Sequence, residues 1–276
     1  MEDENSLVRS EVVESMGNMW GWLTEKQIET LCQKLDDKDY HVRNETVKVL
    51  EKVGERLPEK IIWQLVQRLD SNDNWVRRDA VKVLGSVGKQ LPQNVIGSLA
   101  QRLKDNDQFV RSKAAVALGE FVERLPEKLI SSIWKCLGDD YWYVRGICAT
   151  TLGRLGKRVP EAVILSLAHL LEDGESFVRI SAVKAIGNLG ERVPEDVIKS
   201  LALCLRDKDW GVRKATAETL GNVGKCLPEE VIRQIAQRLS KHDSFMIKEE
   251  AFSCMQTLAK RDKRIWSLNA QMLSSL

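Results

Sequence analysis

Apolar residues recur along this chain in blocks of two kinds, and the blocks alternate. After Pro58 they fall at Ile61, Ile62, Leu65, Val66 and Leu69, an i, i+3/i+4 stripe about three turns long. The polar stretch Asp70-Ser71-Asn72-Asp73 follows, built from residues that favour turns and helix N-caps. A second stripe then runs through Val76, Ala80, Val81, Leu84 and Val87. The pattern predicts two short amphipathic helices joined by a bend. It returns every 34 residues, marked by Pro58, Pro92, Pro126, Pro160, Pro194 and Pro228, which are the six prolines of the chain. A period of this length decides the architecture. One helix pair cannot bury its apolar face alone, so neighbouring pairs must stack into a shared core.

Counted from the proline, seven 34-residue units fill residues 24–261: 24–57, 58–91, 92–125, 126–159, 160–193, 194–227 and 228–261. Thr24 opens the first of them in place of proline. Proline suits a helix start, where its missing N–H costs nothing. Glu25, Glu59, Glu127, Glu161, Glu195 and Glu229 follow it and place negative charge on the positive end of the helix dipole. The second helix begins at a Val-Arg pair, and Gly88, Gly156, Gly190 and Gly224 close it. A second glycine column, Gly85, Gly119, Gly153, Gly187 and Gly221, lies inside that helix. Each of these costs ~1 kcal/mol against alanine, so close helix packing is the expected reason for them. Residues 1–23 read as a half-unit capping helix and 262–276 as a C-terminal capping helix. Strand alternation and hairpin turn dipeptides are absent. The fold class expected is all-α, a right-handed α-α superhelix, or α-solenoid, of two-helix repeats.

Two helices per unit, an Asp-x-x-Val-Arg turn and a Leu-Gly-x-x-Gly second helix resemble the HEAT repeat over about residues 5 to 261. The short units are similar to those of phycobilin lyases and of multidomain scaffold and sensor proteins. The resemblance is specific for fold and open as to partner. Tetratricopeptide repeats share the 34-residue period, but their Trp/Leu-Gly/Tyr pattern is missing here and proline opens the unit instead of closing it.

Net charge is only +2, from 42 basic and 40 acidic residues, so no global field draws nucleic acid or anionic lipid. No run reaches the ~18 apolar residues of a membrane span. The acidic start, Met1 to Asn5, lacks the order of a signal peptide, which makes a cytoplasmic location the expectation. Cys32, Cys136, Cys148, Cys204, Cys226 and Cys254 form no C-x-x-C pair and have no histidine at ligand spacing, so free thiols and no metal are expected.

Four sets of residues could carry function. The column Arg9, Arg43, Arg77, Arg111, Arg145, Arg179 and Arg213 could serve as a phosphate track. Asp39, Asp73, Asp107, Glu175 and Asp209 stand four residues before their arginines, which favours an internal Asp–Arg hydrogen-bond ladder of structural role. The row Glu55, Lys89, Glu123, Lys157, Glu191, Lys225 changes sign at every step, as a weak zipper would and a nucleic-acid tracker would not. His41, His169 and His242 occupy different unit positions, and no phosphate loop or nucleophile–base pair is present, so no catalytic set and no cofactor are expected.

The fourth set is aromatic and sits at the start of the second helix. In one column Trp75, Phe109, Tyr143 and Phe177 are expected to pack between units. The column before it is polar at Asn74, Gln108 and Ser176 but carries Tyr40, Trp142 and Trp210, of which the two tryptophans stand out. Gly146, Ile147 and Ile180 replace polar residues nearby, and Lys113, Lys184, Lys214 and Glu218 would ring the group. An apolar patch rimmed by charge marks an interaction surface. Trp142, Tyr143, Ile147, Phe177, Ile180 and Trp210 are therefore the expected protein-binding residues. The function expected is a non-enzymatic protein–protein interaction scaffold, a module of a larger protein, that holds a protein or peptide on its concave face and is itself monomeric. The alternatives are a lyase-like chaperone of a small chromophore, an excised or engineered architectural repeat, and, against the charge pattern, nucleic-acid binding.

Overall fold

The computed structural model describes residues 2–222, and among them every regular element is a helix. The thirteen α-helices are α1 (Ser6–Asn18), α2 (Glu25–Gln33), α3 (Tyr40–Val53), α4 (Glu59–Arg68), α5 (Asn74–Gly85), α6 (Gln93–Gln101), α7 (Gln108–Glu120), α8 (Glu127–Lys135), α9 (Trp142–Arg154), α10 (Glu161–His169), α11 (Ser176–Asn188), α12 (Glu195–Leu203) and α13 (Trp210–Asn222). The breaks follow the sequence period. Pro58, Pro92, Pro160 and Pro194 each stand in extended conformation immediately before a first helix. Thr24 takes that place before α2 and forms a capping box with Gln27. The unit at 228–261 and the segment 262–276 lie outside the described residues. No described helix is long and apolar enough to cross a membrane.

The chain divides into two compact units, residues 1–133 and 134–276. In the first, α1, α3, α5 and α7 pack side by side, and α2, α4 and α6 each cover the second helix of their own repeat. In the second, α9, α11 and α13 pack in sequence, covered by α10 and α12. The apolar stripes meet between these layers: Ile61, Leu65, Leu84 and Leu99 are fully buried in one unit, and Leu152, Val163, Leu167 and Ile186 in the other. Removing such a side chain costs ~2–5 kcal/mol. Cys32, Cys136, Cys148 and Cys204 are buried free thiols.

Two glycine columns do different work. Gly54, Gly88, Gly156 and Gly190 stand in the turns that follow the second helices, with φ between 38° and 67°, where a side chain would be strained. The inner column is a packing surface. A Cβ on Gly85 would fall 2.9 Å from that of Ala117, and one on Gly153 would fall 2.5 Å from the Cα of Ala185.

Candidate functional site

The arginine column is a structural ladder, and its acids are not those nearest in sequence. Asp39, Asp73 and Asp107 cap the second helices, each accepting the backbone N–H two residues on at 2.8–2.9 Å, and Asp209 accepts that of Val212. The arginines reach instead to an aspartate 28 residues later, in the bend of the following repeat. Arg9 donates from Nε and Nη2 to Asp37 at 2.9 and 2.8 Å, and Arg77 to Asp105 at 2.8 and 2.7 Å. Arg145 does so to Asp173 and Arg179 to Asp207, at 2.7 and 2.8 Å each. The remaining Nη1 bonds backbone carbonyls of the arginine's own bend, for Arg43 those of Asp37 and Lys38, for Arg111 those of Asp105 and Asn106, for Arg213 those of Asp207 and Lys208. The fork-shaped guanidinium thus ties one bend to itself and to the next. At Arg43 the next bend offers Ser71 where the others have aspartate, and among the described residues its guanidinium makes no hydrogen bond to a carboxylate.

A second set of arginines works at the other end of the repeat. Arg56 bonds the carbonyls of Trp20 and Leu23, Arg124 those of Lys89 and Leu91, and Arg192 those of Gly156 and Val159. These cations bind the preceding turn and do not form an open basic track. The alternating row forms no zipper at its first step, where Glu55 and Lys89 make no ion pair.

The ladder aspartates titrate low. The Arg9 hydrogen bond holds the Asp37 carboxyl below the usual carboxylate range. For Asp105, Asp173 and Asp207 burial pushes upward, but the arginine bonds and the N–H two residues on outweigh it and the net direction is down. A carboxyl with a depressed folded pKa stabilises the fold above its unfolded pKa, near 4, and the stabilisation is lost as pH falls through the folded value. The urea midpoint is therefore expected to hold steady from neutral pH to about 5 and to fall steeply below about 4. A midpoint independent of pH across that window would contradict the ladder's protonation linkage.

The aromatic residues of 134–222 gather on the first turns of the second helices. Tyr143 and Phe177 stack with centroids 5.4 Å apart, and Trp142 sets its edge against both at 5.4 and 5.3 Å. Gly146 makes this possible: a Cβ there would fall 2.3 Å from the Phe177 ring. Its meaning in the sequence is thus space for a ring. Ile147 and Ile180 are half-buried, and Ile180 packs against Gly211. Trp210 stands apart from the three rings with the Lys214 ammonium 5.1 Å over its face. Trp142 and Trp210 keep 36% and 46% of their surface exposed. Lys184, Lys214 and Glu218 are exposed on the same helices, whereas Lys113 belongs to residues 1–133.

In residues 1–133 the aromatic column is more open than its spacing suggests. Trp75 and Phe109 are exposed. The Trp75 ring is met by the Arg78 guanidinium at 4.0 Å and by the edge of Tyr40 from α3 at 6.1 Å. The ladder acids and the Arg78 stack were both missed by sequence reading. A signal for the first existed, since Asp37, Asp105, Asp139, Asp173 and Asp207 recur at multiples of the period.

Comparison with known proteins bears on this geometry. A family model of HEAT repeats matches residues 62–131 and 170–256, more than half of the chain. An engineered protein of known crystal structure has a similar fold, with a TM-score of 0.52 at 20% identity over 98% of this chain and 79% of that one. No curated protein matches the sequence.

Proposed function

Because the chain belongs to the HEAT-repeat family, we propose that it is a non-enzymatic interaction module that binds a protein or peptide through the second-helix face of residues 134–222. The observation that carries this reading is the pair of exposed tryptophans, Trp142 and Trp210, in a column that is polar at Asn74, Gln108 and Ser176 and carries one further aromatic, Tyr40, in residues 1–133. Tryptophan is among the residues most enriched at interface hot spots, and here two of them share one face with further apolar side chains. The stacked pair Tyr143 and Phe177 braces Trp142 from the side, so little side-chain freedom remains to be lost when a partner docks. Ile147 and Ile180 extend the apolar surface, and Lys184, Lys214 and Glu218 supply a polar rim.

The test is a selection of displayed random peptides on the full chain, followed by fluorescence polarisation with the enriched sequences. Trp142→Ala and Trp210→Ala are each expected to weaken binding by about 2 kcal/mol, roughly thirtyfold. Their melting temperatures should stay near that of the wild type, because both rings are exposed. Selected peptides that bind both variants as tightly as the wild type would defeat the proposal. So would a Trp142→Ala variant that loses stability in step with affinity.

A further inference from the structure

On the second-helix face of residues 1–133, α3, α5 and α7 lie next to one another and place Glu45, Asp79 and Lys113 at equivalent positions of successive repeats. Most charges here are engaged. Lys48 pairs with Glu45 at 2.6 Å, and Lys82 with Glu51 at 2.9 Å. Arg78 donates from Nε and Nη2 to Oδ1 of buried Asp79, at 3.3 and 3.1 Å, while stacking on Trp75. Lys113 is the exception. It is half-buried, yet its ammonium makes no hydrogen bond or ion pair among the described residues. Burial, then the charges of Lys82 and Arg78, push its pKa down, and only the carboxylate of Glu51, already held by Lys82, acts the other way.

A half-desolvated cation set against two others raises the energy of the free protein. The fold gains no hydrogen bond or ion pair from its ammonium in return. An anion placed among the three cations would turn that repulsion into attraction. We propose that Arg78, Lys82 and Lys113 form a receptor for the carboxylates of an acidic peptide segment, with exposed Trp75 as its apolar wall. The surrounding charges select this occupant. Glu45, Glu51 and Asp79 are interspersed among the cations on the same helices, so a phosphate backbone running along the face would meet carboxylates at each step. A short flexible segment can set one or two carboxylates among the cations and keep its others in solvent. Trp75 beside Arg78 joins the two residue types most common at interface anchors. The site lies within residues 1–133 and does not rest on the aromatic patch of 134–222, so either can fail alone.

Fluorescence anisotropy of the full chain with a fluorescein-labelled hexaglutamate peptide tests it, with hexaglutamine as control. The wild type is expected to bind hexaglutamate saturably, and added salt should weaken the complex. Lys113→Gln should reduce affinity by about tenfold or more, and the double variant Lys82→Gln, Lys113→Gln should abolish binding. Lys113→Gln should leave the melting temperature equal or higher, because the amine it removes makes no bond and repels its neighbours. The double variant Trp142→Ala, Trp210→Ala should keep hexaglutamate binding, which separates this site from the one proposed above. Equal binding by Lys113→Gln, equal binding of hexaglutamine, or no binding by the wild type would overturn the proposal. A melting temperature lowered by Lys113→Gln would give the lysine a structural role instead. Tighter binding of a single-stranded oligonucleotide through the same residues would reassign the surface to nucleic acid.

Discussion

Arg179→Ala is expected to lower the free energy of unfolding by about 3 kcal/mol. Arg179 is only 4% exposed. It donates to both carboxylate oxygens of Asp207 and to the carbonyls of Asp173 and Gly174. Truncation leaves a largely buried carboxylate without its counter-ion and two carbonyls without a donor, and that uncompensated remainder sets the cost. The same substitution at Arg43 is the internal control. Arg43 keeps the carbonyl bonds and a contact with the Tyr40 ring at 6.0 Å but has no ladder aspartate, since Ser71 stands where the acid would be. Its loss should cost about 1 kcal/mol. Urea unfolding of both variants separates the contributions, and equal losses would mean that the aspartate adds nothing to the rung.

Gly153→Val is expected to destabilise by about 3 kcal/mol, and Gly97→Ala to stabilise by up to about 1 kcal/mol. Both glycines lie inside helices, where alanine is ordinarily preferred. Their surroundings reverse the sign. A Cβ on Gly153 would sit 2.5 Å from the Cα and 3.2 Å from the carbonyl oxygen of Ala185, backbone atoms that move only if α11 moves. Around Gly97 nothing lies within 4 Å, so an added methyl meets no atom and the lower backbone entropy of the unfolded chain remains as net gain. Thermal melts of the two variants should move in opposite directions. A shift of the same sign in both would remove helix contact as the reason for the inner glycine column.

The unit structure was legible in the sequence because each of its signals is local. Proline at a helix start, the acid after it and the apolar stripe all act within a few residues, and six copies repeat them. The inner glycines could be read for the same reason, as residues whose cost demanded a contact. The ladder's acids were not legible by proximity. Asp73 lies four residues before Arg77 and was the natural partner, but its carboxylate is consumed by the N–H of Trp75. The true partner, Asp105, is distant in sequence and becomes adjacent only when repeats stack. The openness of Trp75 was hidden too. Its ring meets the edge of Tyr40 from the neighbouring helix and the guanidinium of Arg78, with nearly half of its surface left open. In the aromatic group, spacing located Trp142, Tyr143 and Phe177, but only coordinates explain Gly146 as the vacancy that receives a ring.

Ser71 has a consequence for how the array comes apart. In a linear stack each repeat feels only its neighbours, so cooperativity is set joint by joint. Between the repeats at 24–57 and 58–91 the buried arginine rung is missing. The joint is spanned instead by Arg68 with Asp36, Lys60 with Glu29 and Lys82 with Glu51, whose side chains remain partly open to water. Such pairs contribute about 0–1 kcal/mol each. Unfolding that begins at the amino-terminal edge can therefore halt there, with α1 to α3 released as one block while the repeats beyond keep their registry.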